Sequence, residues 1–168
     1  MRLLEDLKTK CRCYYGEVTP KGLLKVALSD GTSANVLYRV AQKLREVHLG
    51  PAAVVCSEFS KLKNGCLIGR NAEFGEGFVL MHPHGVIINS GVRGGRNVVV
   101  ESGVVIGAAR NGLPVQVPTL GDDVFIGAGA KILGPVKVGN NVRIGANAVV
   151  VKDVPDGATV VGIPARVL

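Results

Sequence analysis

The sequence predicts a mostly β chain: a parallel β-helix built from six-residue repeats, preceded by a small helical segment. Three observations predict it. The chain has 168 residues, enough for one main domain with a small addition. Its composition changes near Cys66: residues 1–65 contain 5 Gly and no Ile, whereas residues 66–168 contain 18 Gly and all 8 Ile. The second part also repeats with a period of six. We therefore expect a helical segment over 1–65 and a repeat domain over 66–168.

The period of six is carried by aliphatic residues. Eleven of its thirteen first positions are Ile, Leu or Val, and the fifth positions are small or branched apart from Phe78. Such a period is neither helical nor a simple strand alternation; it is typical of a parallel β-helix, in which three hexads close a triangular coil. The first positions are Ile68, Phe74, Leu80, Ile88, Gly94, Val100, Ile106, Leu120, Ile126, Ile132, Val138, Ile144 and Val150.

The first 65 residues carry helical patterns. The longest follows the Asp30-Gly31 break, where Ser33 is a candidate N-cap, and ends near Gly50-Pro51. Shorter patterns surround residues 3–7 and 23–28. Such helices bury their apolar stripe against a larger body, so we expect a cap or an assembly element here. The stripe consists of Val36, Leu37, Val40, Ala41, Leu44 and Val47, at spacings of three and four.

Charge and cysteine content argue against several classes of function. The net charge is +7, but no nucleic-acid motif and no interleaving of aromatic and basic residues accompanies it, so we interpret it as a solvated basic face that attracts anions. No apolar stretch is long enough to cross a bilayer, and Glu5-Asp6 interrupts any signal peptide, which predicts a cytoplasmic protein. The four cysteines lack the spacing of a zinc site, so free thiols are favoured.

The repeat is interrupted twice, and function is most often found where a regular scaffold departs from its pattern. The first break is the eight-residue unit 80–87, which contains His82 and His84. The second is the excursion 108–119, which must loop outward. Histidine suits proton transfer near neutral pH. Two histidines in one insertion favour a catalytic role for at least one of them over a structural role. A metal site would need further ligands, which the neighbouring sequence lacks.

The motifs of the repeat part resemble those of the serine acetyltransferase branch of the hexapeptide acyltransferases. They are LMHPHGVII, VVIG, IGAGAKILGPVKVGNNVRIGANAVVVKDVP and VGIPAR, within residues 66–168, and LYRVAQKL is similar to that family's N-terminal region. The resemblance implies a left-handed coil and a homotrimer with active sites between neighbouring prisms, leaving open whether trimers pair. It also implies acetyl-CoA as the acyl donor, a small hydroxyl-bearing acceptor and no metal.

The same resemblance implies roles for individual residues. His82 falls on the family's catalytic histidine, the general base that takes the proton of the acceptor hydroxyl. Backbone N–H groups near Gly107 and Ala108 match the turn that steadies the thioester oxygen. Arg143 could meet a phosphate of CoA. The positions matching the CoA groove are Ala128, Gly129, Arg143 and Ala146, of which the three small residues also fit plain repeat geometry.

The sequence departs from the family's pattern at the acceptor. Met81 stands where the serine enzymes have Asp, and Leu67 stands where a second Asp orients the histidine. Gln116-Val117 replaces an Arg-His pair in the excursion. Apolar side chains cannot pair with the charges of a zwitterion. With Leu67 in place of the orienting Asp, the group that orients His82 stays open: a backbone carbonyl, water, or a carboxylate such as Glu73 or Glu76.

These departures lead us to expect a sugar, a glycan precursor or another non-serine hydroxyl compound as acceptor, contacted by Leu67, Met81 and Gln116. His84 is either a second acceptor contact or a solvated residue. A divergent L-serine O-acetyltransferase is the alternative. A catalytically inactive trimeric binding scaffold is the alternative from another class. A zinc enzyme of the same architecture would need three histidines, and His48 lies in the helical part, so this reading is disfavoured.

Overall fold

The computed structural model describes residues 2–109 and 116–168, so half of the predicted excursion at 108–119 lies outside the described residues. Within that part of the chain, helices come first and short strands follow. The helices are α1 (Arg2–Tyr15), α2 (Pro20–Ala27), α3 (Thr32–Glu46) and α4 (Gly50–Asn64). The strands are β1 (Leu67–Ile68), β2 (Glu73–Phe74), β3 (Val79–Leu80), β4 (Ile87–Ile88), β5 (Arg93–Gly94), β6 (Val99–Val100), β7 (Val105–Gly107), β8 (Thr119–Leu120), β9 (Phe125–Ile126), β10 (Lys131–Leu133), β11 (Lys137–Val138), β12 (Arg143–Ile144), β13 (Val149–Val150), β14 (Thr159–Val161) and β15 (Arg166–Val167).

Local sequence explains where α2 and α3 begin. The side chain of Thr19 caps α2 by accepting a hydrogen bond from the Gly22 N–H. α3 begins after Gly31, whose φ of 78° is left-handed. Ser33, the predicted cap, instead donates its hydroxyl to Asn64 in α4, at 2.6 Å. The capping prediction at Ser33 is therefore wrong, because the preceding turn is set by Gly31.

Helix α4 was missed in the sequence because Gly50-Pro51 was interpreted only as a stop signal. Pro51 lies in the first turn of α4, where a missing N–H leaves no intrahelical bond unmade. Gly65 closes the helix at φ 59°. Helix α4 therefore extends the helical part of the chain to Asn64, three residues before the first strand of the coil begins.

The strands form a three-sided parallel coil, as the period of six predicts. Every third strand stacks on the same face, and the coil closes with β15, which pairs antiparallel with β14. The first face is β1-β4-β7-β10-β13, the second is β2-β5-β8-β11, and the third is β3-β6-β9-β12-β14 with β15 at its edge.

The interior of the coil is a narrow column of the predicted hexad residues. Ile88, Ile106 and Ile132 have no exposed area, and neither do most of the small or branched residues at the fifth positions. In the first coil the rings of Phe74 and Phe78 stack with centroids 4.1 Å apart. Burial of each such side chain contributes about 1.5–3 kcal/mol, so the repeated column stabilises the coil.

The helices cover the open edge of the first coil with polar side chains. The Asn35 side chain donates to the Phe78 carbonyl oxygen at 2.7 Å and accepts from the Leu80 N–H at 2.9 Å. The Tyr38 hydroxyl donates to the Ala72 carbonyl oxygen at 3.1 Å. These contacts replace the strand that would otherwise stack on this edge and satisfy its backbone groups.

The predicted burial of the apolar stripe of α3 is found only in part: Ala41 is buried, and Val36, Leu37 and Leu44 are partly buried. The buried face of α3 is largely polar and contacts the coil, whereas Val40 and Val47 are 41% and 50% exposed. Ala34 and Tyr38 share one apolar core with the coil, and the division into domains at 65/66 stays a prediction. In residues 2–109 and 116–168, no helix combines the length and apolarity that a bilayer crossing requires.

Candidate active site

His82 lies at the corner between the third and first faces, in the longer unit that joins β3 to β4. The two extra residues let the chain turn outward, and Gly85 adopts φ 73° at this turn. The His82 side chain is 51% exposed, which leaves room for a small molecule beside the ring. Its setting is therefore a surface corner and not the interior of the prism.

Asp30 holds the ring of His82. Asp30 lies in the turn between α2 and α3, and its Oδ2 is 2.9 Å from Nδ1 of His82. Its other carboxylate oxygen accepts the N–H of Gly31 at 3.0 Å, which fixes the side chain on its own turn. A residue of the helical segment thus orients the histidine, in place of the missing carboxylate at Leu67.

The pair fixes which ring nitrogen is free. The hydrogen bond with His82 lowers the pKa of the Asp30 carboxyl, against partial burial, so Asp30 is ionised at neutral pH and can only accept. Nδ1 of His82 must then carry the proton it shares with Asp30. In the neutral ring this leaves Nε2 as a free proton acceptor, which is the form a general base needs.

Sequence reasoning missed Asp30 because it used Asp30-Gly31 only as a helix break. The signal available was a carboxylate beside a Gly in a short turn between two helices. The helical pattern does not indicate that this turn lies beside His82, which is 52 positions later in the chain.

The residues predicted to contact the acceptor lie in different environments. Met81 is 8% exposed and packs with Val79 and Val99, so its side chain belongs to an apolar cluster under the corner. His84 is exposed and lies against Gly65 at the end of α4. Leu67, 42% exposed, pairs with Ile87 on the first face, beyond the corner that carries His82.

A second carboxylate that sequence reasoning did not select lies one coil further along. Leu80 pairs with Val100, so the next residues, Met81 and Glu101, are neighbours on adjacent strands. Glu101 is partly buried and lies close enough to Tyr14 of α1 to contribute, after burial, to raising the pKa of that phenol. Two carboxylates, Asp30 from the helical segment and Glu101 after β6, therefore lie near the end of the third face, where Met81 has no carboxylate of its own.

Three of the four predicted CoA-groove residues stack below His82 on the same corner. The Gly103 N–H donates to the His84 carbonyl oxygen at 2.9 Å, and the Gly129 N–H donates to Ser102 at 2.8 Å. In the following turn of the coil, the Asn147 N–H donates to the Ala128 carbonyl oxygen, also at 2.8 Å. Ala128, Gly129 and Ala146 therefore lie along one continuous edge of the prism that begins at His82.

Arg143, the fourth, lies on the third face beside that edge. Its guanidinium carbon is 5.1 Å from the centre of the Phe125 ring. Both residues line a cleft of about 290 Å³ together with Arg12 and Cys13 of α1. Asp123 also lines the cleft, so two guanidinium groups face one carboxylate and the cleft keeps an excess of positive charge that suits an anionic group such as a phosphate. Arg12 carries no repeat signal, so sequence reasoning did not select it.

Gly107, Ala108 and Gln116 lie at a different corner. Gly107 ends β7 on the far side of the first face, where its carbonyl oxygen accepts from Gly134 at 3.0 Å. Gln116 is exposed, and the neighbouring Val117 packs against Gly91 near the same corner. Within one chain the predicted thioester turn and His82 are therefore on separate edges of the prism.

No metal centre is visible in the part of the chain that the structure describes. Residues 2–109 and 116–168 contain no group of three or more His, Cys, Asp or Glu side chains that could hold an ion. All four cysteines are free: Cys11 and Cys66 are buried, Cys13 is exposed and Cys56 is intermediate.

Comparison with known proteins places these features in a family. The family described as bacterial transferase hexapeptide (six repeats) matches residues 118–152. A serine acetyltransferase of Synechococcus elongatus is 39% identical over 147 residues, 88% of this chain and 60% of that protein. A serine acetyltransferase of Helicobacter pylori is 38% identical over 141 residues, 84% of this chain and 82% of that protein. The chain belongs to the serine acetyltransferase family.

Solved structures of the family agree with the fold. Soybean serine acetyltransferase complexed with serine superposes with a TM-score of 0.87 at 30% identity, covering 99% of this chain and 68% of that one. A serine acetyltransferase in complex with CoA gives a TM-score of 0.83. The left-handed parallel β-helix expected from the resemblance is confirmed. The chain spans 60% and 65% of two of the curated family members it matches.

Proposed function

We propose that the protein is an acetyl-CoA-dependent O-acetyltransferase that acetylates L-serine, with His82 as general base and Asp30 as the residue that orients it. The observation that carries the proposal is the 2.9 Å contact between His82 Nδ1 and Asp30 Oδ2 at an open corner of the coil. Family membership supports the reaction, because the curated relatives are serine acetyltransferases.

The chemistry follows from the free Nε2 of His82. As the serine hydroxyl oxygen attacks the thioester carbonyl carbon, its proton passes to Nε2, and the Asp30 carboxylate stabilises the imidazolium that forms. When the tetrahedral intermediate collapses, the carbon–sulfur bond breaks and the CoA thiolate takes that proton. The products are O-acetylserine and CoA, and the histidine returns to its neutral form. General base catalysis of this kind contributes about 10²- to 10⁴-fold.

The acceptor is where the sequence analysis needs correction. The comparisons favour serine over a sugar or another non-serine hydroxyl compound. Carboxylates are absent at Leu67 and Met81, but the helical segment brings Asp30 to His82, so the missing carboxylates do not exclude serine. Asp30 and Glu101 both lie near this end of the third face, where they attract the buried Lys10 ammonium, so the site is not without carboxylates.

We place the CoA moiety along the edge formed by Ala128, Gly129 and Ala146. Small residues there leave the backbone open to a long, thin ligand, and the cleft lined by Arg12 and Arg143 lies on the third face, where β12 begins. The thioester turn at Gly107 and Ala108 is on another corner, so we propose that a neighbouring subunit of a homotrimer supplies it. This arrangement brings the two corners together only in the assembly.

The test is an acceptor panel with purified protein, acetyl-CoA, and L-serine or amino sugars. Transfer should be followed by the loss of thioester ultraviolet absorbance, since Cys13 and Cys56 would react with thiol reagents. We expect acetylation of L-serine and none of the sugars; transfer to sugars alone would overturn the proposed acceptor.

A matched pair of variants tests the base. In His82→Asn the amide can still bond Asp30 but cannot take a proton, so kcat should fall by about 10²- to 10⁴-fold. His48→Asn removes an exposed histidine with φ 61°, a conformation that Asn tolerates, and should keep the wild-type rate. An unchanged rate in His82→Asn would remove this residue from the mechanism.

A further inference from the structure

Lys10 is a buried lysine that the proposed reaction does not use. It lies in α1, is 2% exposed, and its ammonium reaches the junction of three elements. A buried charge is costly unless it is fully hydrogen-bonded. Nζ of Lys10 donates to the Asp30 carbonyl oxygen, to Thr32 Oγ1 at 3.2 Å and to the Leu80 carbonyl oxygen at 3.1 Å. Its three N–H bonds are therefore all used.

The three acceptors belong to the two segments that carry the Asp30–His82 pair. Asp30 lies in the turn between α2 and α3, Thr32 begins α3, and Leu80 ends β3 two residues before His82. The turn and the strand approach closely, because a Cβ on Gly31 would overlap the Leu80 carbonyl oxygen. One ammonium thus joins the backbone that presents the carboxylate to the backbone that presents the imidazole.

Packing alone does not require a lysine at this position. Asp6 already joins α1 to α3 through its ion pair with Arg39, at 2.7 Å, and to the coil through its bond to the Gly77 N–H. An apolar residue would fill the same space without the cost of burying a charge. What it could not do is satisfy the Leu80 and Asp30 carbonyl oxygens together.

We propose that Lys10 is a positioning residue that sets the distance and orientation of Asp30 relative to His82; this inference rests on the proposed function. The other charged or titratable groups that face Lys10 are the Asp30 carboxylate, Cys13 of α1 and Glu101 after β6. His84 also lies within electrostatic range of Asp30. Burial lowers the pKa of Lys10 to about 8, so the ammonium and its three bonds persist at neutral pH.

The test compares Lys10→Met with Asp6→Asn in the full chain. Met fills the space of Lys10 without a donor, so Asp30 should shift and kcat for L-serine should fall by about 10- to 10²-fold with an unchanged KM for acetyl-CoA. The nitrogen chemical shifts of His82 should show loss of the fixed Nδ1–H tautomer. Asp6→Asn weakens the same helix–coil contact and should lower Tm alone.

The results of these variants distinguish a positioning role of Lys10 from a purely structural one. A folded Lys10→Met protein with wild-type kcat and a wild-type His82 tautomer would overturn the inference, as would equal changes in Asp6→Asn. If Lys10→Met does not fold, Thr32→Val removes one acceptor of Lys10, and a wild-type tautomer and rate in that variant would overturn it. The tautomer is measured without substrate, so it reports on Lys10 even if L-serine proves not to be acetylated.

Discussion

At the scale of the residue, the site depends on side chains that come from distant parts of the chain. His82 is presented by a corner of the coil, Asp30 by a turn between helices, and the two meet at 2.9 Å. An ionised Asp30 selects the tautomer of His82 that can act as a base. The proposed general base and its orienting partner are thus held by different kinds of structure.

Arg143 gives a prediction for binding of the donor. If its guanidinium meets a phosphate of CoA, Arg143→Ala should raise KM for acetyl-CoA by about 10-fold or more and leave kcat close to wild type. Arg96→Ala is the control, because Arg96 is also exposed but binds Asp122, at 2.9 Å. Steady-state kinetics with varied acetyl-CoA measure both, and equal KM values for the two variants would contradict the assignment.

Residue identities inside the coil could be predicted from sequence, whereas the orienting partner could not. Ile88 and Ile106 repeat at a fixed period, and the narrow interior demands aliphatic side chains there. Asp30 belongs to no period. Its role depends on how the helical segment packs on the coil, and this tertiary contact leaves no local pattern in the sequence.

At the scale of the element, the turn between α2 and α3 is the piece that brings Asp30 to the coil. Gly31 is in the left-handed region and lies directly against the end of β3. Asn35 and Tyr38 then pair with the open edge of the first coil. The docking of α3 therefore sets the position of the carboxylate as well as covering the edge.

Gly31→Ala tests this docking against a matched glycine. Both Gly31 and Gly16 have φ near +77°, at 78° and 76°, but a Cβ on Gly16 meets nothing within 4 Å. Gly16→Ala should cost about 1 kcal/mol of unfolding free energy from backbone strain and keep kcat. Gly31→Ala adds the overlap with Leu80, so its Tm should fall further and kcat should drop. Thermal melts and rates check this; similar behaviour of the two variants would contradict it.

The helical elements show where pattern reasoning stops. The period of α3 was found, but its buried face could not be inferred from apolarity, because the edge of a coil needs hydrogen-bonding groups and takes Asn35, Tyr38 and Arg39. The start of α4 was hidden by Pro51, which can end one helix or begin the next.

At the scale of the whole molecule, the candidate site is divided between two corners of one prism. His82, Ala128 and Ala146 share the first corner, and Gly107 with Ala108 lies at another. A symmetric trimer would place the first corner of one subunit beside the second corner of its neighbour. The coil is then both the scaffold of the site and its assembly surface.

Complementation tests this division. His82→Asn lacks the base, and Ala108→Trp should block the second corner, so each variant alone should be inactive. In trimers formed from an equal mixture, about a quarter of the sites should combine two intact corners, and activity should return to that extent. Rates measured after joint refolding check this, with separately refolded variants as the control. No recovery from mixed trimers would place the complete site within one chain.

The most direct test of the central account is the pH dependence of kcat/KM for L-serine in Asp30→Ala. Since Asp30 is ionised and favours the imidazolium, its loss should move the acid limb to lower pH and reduce the plateau by about 10²-fold. Glu17→Ala, a change to another acidic residue of the helical segment, should leave the profile as in the wild type. A wild-type plateau and acid limb in Asp30→Ala would show that His82 works without the partner to which the structure joins it.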